Sequence, residues 1–288
     1  MNALLQNMLR HFDPELRFLS ASAVSGGSIN RAYRLDTDRG SFFLKHNSVS
    51  ARPGMFDREA EGLEALRVAG GPRTPEVLYR GTAKDQSFLL LEWVASGREG
   101  PESWKTFGTQ LATLHRQSND AFGGLADNYM GSLPQSNRDH RDWPSFFVQE
   151  RLEPLVRQAR DMGELTRDDM PLFERLFHKM DRLFPDEPPA LIHGDLWGGN
   201  YLWDEAGAPV LIDPATHYGH REMDLAMTFL FGGFSPELYR YYIESYPLEK
   251  GWRERIPLCN LYPLLVHVVL FGGGYVHDVR GNLYRFVK

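Results

Sequence analysis

The stretch LIHGDLWGGN, residues 191–200, decides how this sequence is interpreted. An apolar strand is predicted to end at His-Gly-Asp, and the loop that follows places Asn200 five residues after Asp195. A second apolar strand then ends at Asp213, within the sequence LIDPA at residues 211–215. The pattern therefore places two carboxylates and one carboxamide at or just after the ends of two neighbouring strands.

Phosphoryl transfer needs this set of side chains. The carboxylate of Asp195 can accept the proton of an attacking hydroxyl, while Asn200 and Asp213 offer hard oxygen ligands to Mg²⁺ beside a triphosphate. The competing interpretation is a loop with two turn-forming aspartates and a capping asparagine. The tripeptide HGD alone would not exclude that loop, but the spacing of Asn200 and the strand-terminal position of Asp213 favour a kinase site.

A glycine-rich segment upstream is a candidate for the phosphate contacts. Residues 25–30 read SGGSIN and lie between two predicted strands. The backbone N–H groups of Gly26, Gly27 and Ser28 can approach phosphates as a flexible flap. A Gly-Gly hairpin turn explains the same residues equally well, so this segment does not identify a nucleotide site by itself.

Two further places in the first half of the chain fit a nucleotide. Lys45 ends an apolar strand, where it is either an exposed lysine or the lysine that contacts nucleotide phosphates, with Glu59 on the following helix as its partner. Another apolar strand ends at Glu92, Trp93 and Val94. Main-chain groups exposed at that point can pair with adenine without help from any particular side chain.

Periodicity divides the chain into a β-rich part and a helical part, which predicts an α+β fold with two lobes. Strands are predicted at residues 17–22, 32–36, 41–45, 76–81 and 87–94, with one helix among them at 54–68. Helical spacing then appears at residues 104–118, 143–162, 172–184 and 237–246, with a long loop at 119–142. We therefore expect a nucleotide-binding lobe over residues 1–95, a hinge near 93–97, and a catalytic and substrate-binding lobe over 96–288.

Composition excludes several classes of protein. The 288 residues carry a net charge of −6, which argues against a nucleic-acid binder that neutralises phosphates. A single cysteine, Cys259, forms no internal disulfide and is expected to be a small buried residue. The amino terminus lacks the features of a signal peptide, and the apolar run at residues 262–271 is about half the length that a membrane span needs. These features predict a cytoplasmic protein.

The sequence resembles the fructosamine kinase (ketosamine-3-kinase) family, a branch of the aminoglycoside phosphotransferase and choline kinase group with a protein-kinase-like fold. The wider group shares HGDxxxxN and the following aspartate, whereas longer blocks are typical of the family. These blocks are SGGSIN at 25–30, HGDLWGGN at 193–200, IDPATHYGHREMDLAMTFLFGGF at 212–234 and LFGGGY at 270–275. The resemblance therefore covers nearly the whole chain.

The resemblance implies an ATP- and Mg²⁺-dependent kinase that phosphorylates a hydroxyl, at carbon 3, of ketoamines such as fructosamine or ribulosamine adducts. Carried over position by position, Asp195 is the proton acceptor, and Asn200 and Asp213 are the Mg²⁺ ligands. Lys45 contacts the phosphates with Glu59 as its ion-pair partner. The main chain of residues 92–94 contacts adenine.

The residues that select the acceptor are less sharply indicated. Trp197 follows the proposed base by two residues and can form an apolar wall against a sugar or ketoamine chain. His267 is either a core histidine or, as the resemblance implies, a residue of the substrate pocket. Glu222 and Tyr218 are weaker candidates for substrate contact. The family match at Asp224 implies a carboxylate that braces the loop of the proposed base.

The implied biological role is deglycation of proteins or amines, with free ketoamines or glycated lysine on proteins as partners and a monomer as the expected state. One alternative is a kinase for another hydroxylated amine, of the choline or aminoglycoside type; the blocks LWGGN and LFGGGY favour the ketoamine. A second alternative is an inactive nucleotide-binding scaffold. The intact Lys45, Asp195, Asn200 and Asp213 argue against that scaffold.

Overall fold

The computed structural model describes residues 2–24 and 29–288. Its first part is an antiparallel sheet of five strands with two helices. The strands are β1 (Phe18–Ala23), β2 (Arg31–Thr37), β3 (Gly40–Ser48), β4 (Val77–Ala83) and β5 (Gln86–Glu92), and the helices are α1 (Asn2–Phe12) and α2 (Met55–Val68). The strand order is β1-β2-β3-β5-β4, so β3, which carries Lys45, lies at the centre of the sheet.

Helix α1 corrects the sequence interpretation, which expected only one helix in this part of the chain. Leu5, Met8 and Leu9 are buried and lie on one helical face, because residues three and four apart share a face. They pack with sheet residues such as Leu35 and Leu44 in one apolar cluster. The helical spacing of Leu5, Met8 and Leu9 in the sequence could have predicted this helix.

The remainder of the described chain is mainly helical. The helices are α3 (Ser103–His115), α4 (Trp143–Phe146), α5 (Glu153–Asp161), α6 (Met170–Phe177), α7 (Glu222–Leu230), α8 (Pro236–Ser245), α9 (Trp252–Cys259), α10 (Leu261–Phe271) and α11 (Val276–Val287). A π-helical turn, Phe147–Leu152, joins α4 to α5, and short 3₁₀ segments occur at Met180–Arg182 and Gly273–Tyr275. The α+β fold with a sheet lobe and a helical lobe is confirmed.

Three short two-stranded sheets complete the helical part. They pair β6 (Asn128–Met130) with β7 (Leu133–Gln135), β8 (Ala190–Ile192) with β11 (His217–Gly219), and β9 (Tyr201–Trp203) with β10 (Pro209–Leu211). The β6–β7 hairpin interrupts the segment that the sequence predicted to be one long loop. Strands β8 and β10 end just before His193 and Ile212, so each of the two proposed site loops begins at the end of a hydrogen-bonded strand.

The carboxy-terminal helices contribute to the largest apolar core, which they share with residues of α4 to α7. The apolar run at residues 262–271 lies in α10, where Leu264, Leu265 and Val268 are buried, and Cys259 is buried at the end of α9 as expected. Together α9 and α10 form a helical stretch of 20 residues that is long and apolar enough to cross a membrane by length and composition alone. Most of this stretch is buried within the protein, as in the core helix of a globular domain.

Removal of one buried side chain from α1 tests whether this helix is part of the sheet lobe. Leu5 has no exposed surface, so Leu5→Ala leaves a cavity and is expected to cost about 2–5 kcal/mol of the free energy of unfolding. The matched control is Asn7→Ala on the exposed face of the same helix, expected to change it by less than about 0.5 kcal/mol. Urea denaturation of both variants measures the difference; equal stability would mean that α1 does not pack as described.

Candidate active site

A cavity of about 590 Å³ lies between the sheet and the helical part. This volume is within the range of small-molecule sites. The residues that the sequence singled out and that line the cavity are Lys45, Glu59, Glu92, Trp93, Val94, Asp195, Trp197, Asn200, Asp213 and His267. Gly26, Gly27 and Ser28 lie outside the described residues, so their predicted contact with phosphates stays a prediction.

Asp195 is positioned by a sharp turn directly after β8. The backbone at Gly194 has φ +83°, and a Cβ there would lie 2.3 Å from the carbonyl oxygen of Ala215. Only glycine fits both the conformation and the space. The turn is fixed from below by Asp224, whose carboxylate accepts hydrogen bonds from the N–H groups of His193 and Gly194 at 2.7 and 2.8 Å.

Asp224 is itself held by buried side chains of other helices. His115 of α3 contacts the Asp224 carboxylate through Nε2 at 3.2 Å, and Tyr242 of α8 contacts the other ring nitrogen at 2.8 Å. Burial alone would raise the pKa of Asp224, but the hydrogen bond and charge of His115, and the backbone hydrogen bond of Gly194, outweigh burial and lower it. Asp224 is therefore an ionised brace for the loop. The sequence offered no sign of His115 or Tyr242.

His193 connects the two site loops. Its Nε2 donates to the carbonyl oxygen of Ile212 at 2.9 Å, and its Nδ1 accepts from the backbone N–H of Asp195 at 3.2 Å. Burial lowers the pKa of His193, so the ring is neutral and can make both contacts at once. The imidazole therefore fixes the loop of Asp195 relative to the segment that carries Asp213.

The carboxylate of Asp195 is oriented by Asn200. The amide nitrogen of Asn200 donates to the backbone oxygen of Asp195 at 2.8 Å and to its carboxylate at 2.9 Å. Burial raises the pKa of Asp195 to about 7; the hydrogen bond from Asn200 opposes this shift, and the charges of Asp213 and Asp224 add to it. Asp195 is thus a carboxylate whose pKa lies near neutral pH.

Asn200 and Asp213 present oxygen atoms to the cavity. Because the amide nitrogen of Asn200 faces Asp195, its Oδ1 is left without a hydrogen-bond partner in the part of the chain that the structure describes. Asp213 has φ +55°, a left-handed conformation that aspartate tolerates better than most residues. No cluster of three or more His, Cys, Asp or Glu side chains that could hold a metal occurs in residues 2–24 and 29–288.

Lys45 bridges the two lobes through opposite charges. Its Nζ donates to the Glu59 carboxylate on α2 at 2.7 Å and also contacts the Asp213 carboxylate. Burial would lower the pKa of Lys45, but the two carboxylates more than compensate and keep it above its ordinary value. The structure therefore brings Lys45 and Glu59 together, as predicted, and adds Asp213 to the pair.

The strand end at Glu92 offers the cavity its main chain rather than its side chains. The Glu92 carboxylate is bound by Arg73 and by the N–H of Glu76, and the N–H of Glu92 itself donates to the Glu76 carbonyl at 3.0 Å. The Trp93 ring lies 4.9 Å from the guanidinium of Arg34. The N–H groups of Trp93 and Val94 have no hydrogen-bond partner within the described residues, so both are available to a nucleobase.

Trp197 and His267 face the cavity from the helical lobe. The Trp197 ring closely covers Gly199, where a Cβ would lie 2.3 Å from the ring. His267 of α10 donates from Nδ1 to the carbonyl oxygen of Pro263 at 2.7 Å, which leaves Nε2 as an acceptor. His267 is half-buried and lines the cavity, which favours its interpretation as a pocket residue over that as a core histidine.

Glu222 is a correction to the list of candidate substrate contacts. Its side chain is buried at the start of α7, and the carboxylate accepts two hydrogen bonds from Arg255, at 2.7 and 2.6 Å. Tyr218 lies in β11, where its backbone pairs with Gly123. Neither residue is among those that line the cavity.

The cavity wall also contains apolar residues that the sequence interpretation had not singled out. They include, from the helical part, Met130, Phe231, Leu270 and Phe271, of which Phe231 and Phe271 are exposed. The phenylalanines belong to the FGGF and LFGGGY blocks, whose glycine-flanked aromatic residues were the available signal. Met130 comes from the β6–β7 hairpin that was not predicted.

Known proteins resemble this chain over most of its length. A family model described as fructosamine kinase matches residues 1–288. The "probable ketoamine kinase" of Enterococcus faecium is 39% identical over 269 residues, covering 91% of this chain and 94% of that protein. The chloroplastic protein-ribulosamine 3-kinase of Arabidopsis thaliana is 34% identical over 301 residues, covering 93% and 90%.

A solved structure extends the likeness to three dimensions. A crystal structure assigned as a fructosamine-3-kinase from Thermobifida fusca superposes with a TM-score of 0.88 at 37% identity, covering 98% of this chain and 99% of that one. The likeness spans both the sheet part and the helical part. The chain therefore belongs to the fructosamine kinase family.

Proposed function

We propose that this protein transfers the γ-phosphoryl group of ATP to the carbon-3 hydroxyl of a ketoamine, such as a fructosamine or ribulosamine adduct. The observation that carries the proposal is the convergence of Lys45, Asp195, Asn200 and Asp213 on one cavity that is also lined by Trp197 and His267. The names of the relatives support the acceptor class, since they refer to ketoamine, ribulosamine and fructosamine kinases.

Asp195 is the proposed base. Its carboxylate accepts the proton of the acceptor hydroxyl as that oxygen bonds to the γ-phosphorus and the bond from phosphorus to the ADP oxygen breaks. A pKa near 7 suits this role, because the carboxylate is ionised in part at neutral pH and still holds a proton well. Asn200 keeps the carboxylate in place through its amide nitrogen.

Asn200 and Asp213 are the proposed ligands of Mg²⁺. The cation prefers oxygen ligands and is usually held by few protein groups together with substrate phosphates, which fits one free carboxamide oxygen beside one carboxylate. When bound, Mg²⁺ supplies charge neutralisation at the phosphates. Lys45, held by Glu59, is placed to contact the same phosphates, and Val94 to bind the base of the nucleotide.

Trp197 and His267 are the proposed acceptor wall. The indole can cover the apolar face of a sugar-derived chain, and Nε2 of His267 can accept a hydrogen bond from a hydroxyl or an ammonium group. Both lie on the helical lobe with Asp195. We expect them to position the acceptor rather than the nucleotide.

The wider setting is also a proposal. Phosphorylation at carbon 3 makes a ketoamine prone to release its amine, so the role would be deglycation of free amines or of lysine on proteins. The division of the chain into lobes at residues 95 and 96 follows the end of β5. We propose a cytoplasmic monomer from the composition and the family; size-exclusion chromatography tests the oligomeric state.

Replacement of the proposed base tests the reaction directly. Asp195→Asn keeps the shape of the side chain but removes its proton affinity, so kcat for ketoamine phosphorylation is expected to fall by about 10²–10⁴-fold. ATP affinity should change little. The matched control is Asp120→Asn, at an exposed aspartate outside the cavity, which should retain full activity. Turnover of Asp195→Asn close to the wild-type value would rule out the assigned role.

The raised pKa of Asp195 also predicts a pH dependence of stability. Between about pH 4, where a free aspartate titrates, and about pH 7, the folded protein holds a proton at Asp195 that the unfolded chain has lost. The free energy of unfolding therefore falls with rising pH in this window, by at most about 1.4 kcal/mol per pH unit. Asp195→Asn lacks this loss, so its stability relative to the wild type should rise up to about pH 7 and then level off. If the difference in free energy of unfolding between Asp195→Asn and the wild type stayed constant from about pH 4 to pH 7, the raised pKa of Asp195 would be contradicted.

Replacement of the proposed metal ligand separates metal binding from nucleotide binding. Asp213→Asn removes one anionic oxygen, so the Mg²⁺ concentration for half-maximal activity is expected to rise at least about tenfold. Binding of ATP without Mg²⁺ should not weaken, because the variant removes a negative charge near the phosphates. Titration calorimetry with and without Mg²⁺ makes both measurements, and an unchanged Mg²⁺ requirement would argue against the ligand role.

A further inference from the structure

Phe231, His267 and Phe271 line the cavity, and Tyr275 packs against His267; we name these four aromatic side chains the aromatic rim. Phe231 and Phe271 line the cavity although they are 45% and 60% exposed. Their ring centroids lie 5.1 and 5.5 Å from that of His267, and the Tyr275 ring lies 4.9 Å from it. Large exposed apolar residues grouped at a cavity mouth indicate a surface that a ligand covers.

A carboxylate lies directly beside this rim. Oε1 of Glu164 is 3.2 Å from the position that a Cβ on Gly272 would occupy, and Oε2 is 3.2 Å from the same position on Gly273. Gly272 connects Phe271 to the short 3₁₀ segment Gly273–Tyr275, of which Gly273 is the first residue. Glu164 follows α5 in the chain and is half-buried. Its charge is therefore held against the backbone between two residues of the aromatic rim.

The charge of Glu164 is not compensated by the protein. Across residues 2–24 and 29–288, no nitrogen of a basic side chain lies within 4.0 Å of this carboxylate. Arg160, four residues earlier, pairs with Asp161 instead, and Arg167 does not reach Glu164. A half-buried carboxylate without a cationic partner, next to apolar ring faces, is complementary to an apolar chain that ends in a cation.

We propose that Glu164 binds a second ammonium group at the far end of the acceptor's amine substituent. The preferred substrates would then be low-molecular-weight ketoamines whose amine carries a distal cation. The inference rests on the proposed function, since it takes the sugar-derived part to lie at Asp195. The methylene groups of the amine lie along the aromatic rim, and the terminal ammonium meets the Glu164 carboxylate.

This geometry separates free ketoamines from glycated proteins. A ketoamine formed on a lysine side chain of a protein continues into backbone amides, which carry no positive charge at the corresponding distance. A ketoamine of a free diamine places an ammonium group there. The carboxylate therefore favours the small cationic adduct, while the aromatic rim accepts both.

A matched pair of substrates tests the inference. The ketoamine of 1,5-diaminopentane and the ketoamine of pentylamine have the same chain length and differ only in the terminal ammonium. At low salt, the wild-type kcat/KM is expected to favour the diamine adduct by about threefold to fivefold, the range that a partly exposed ion pair supplies. Glu164→Gln should bring this ratio to about one by lowering kcat/KM for the diamine adduct, while kcat/KM for the pentylamine adduct stays unchanged. High salt should reduce the wild-type ratio as well.

The control is Glu174→Gln, which removes the same charge from an exposed residue of α6 outside the cavity and should keep the wild-type ratio. Equal use of both ketoamines by the wild type, or an unchanged ratio in Glu164→Gln, would overturn the inference and leave the proposed function intact. Equal loss of both activities with a lowered melting temperature would show that Glu164 is structural, which also overturns it. Phosphorylation of neither ketoamine by the wild type would overturn the proposed function, and the inference with it.

Discussion

The arrangement of the site depends on one buried carboxylate, that of Asp224. It accepts the N–H groups of His193 and Gly194 within the turn where β8 ends, and this determines the direction in which Asp195 enters the cavity. A carboxylate at the first turn of a helix also interacts favourably with the helix dipole, and Asp224 lies in the first turn of α7. The single charge of Asp224 therefore connects α7 to the turn before the proposed base. Through His115 it also connects this turn to α3.

Two aspartates on either side of this turn illustrate how the environment divides roles. Asp224 is surrounded by donors, so its pKa is lowered and it stays ionised as a brace. Asp195 faces the cavity with Asn200 as its main donor, so burial dominates and its pKa rises to about 7. Pairs of titratable groups with opposite shifts are typical of sites where one group transfers protons and the other organises structure.

The two sides of the cavity use different chemistry. The proposed nucleotide side combines a buried cation, Lys45, with carboxylates that keep it charged and the backbone N–H of Val94. These features suit a ligand shared by all ATP-dependent kinases. The proposed acceptor side is built instead from aromatic and glycine residues of the helical lobe. Changes of acceptor within such a family are therefore expected to lie in the loops around Phe231 and Phe271.

The sequence alone predicted a sheet part followed by a helical part and grouped the residues of the proposed reaction, because His-Gly-Asp, Asn200 and Asp213 lie close in the chain at the ends of local strands. It did not predict α1 or the carboxy-terminal helices α9, α10 and α11. Tertiary structure decided what depends on distant contacts. The sequence suggested that Glu222 could contact the substrate, but its carboxylate is bound by Arg255, 33 residues away. Likewise, His115 contacts Asp224 although 109 residues separate them in the chain. His267 lines the cavity because the face of α10 that carries it lies against Phe231. Periodicity shows which face of an element is apolar; only packing determines what lies against it.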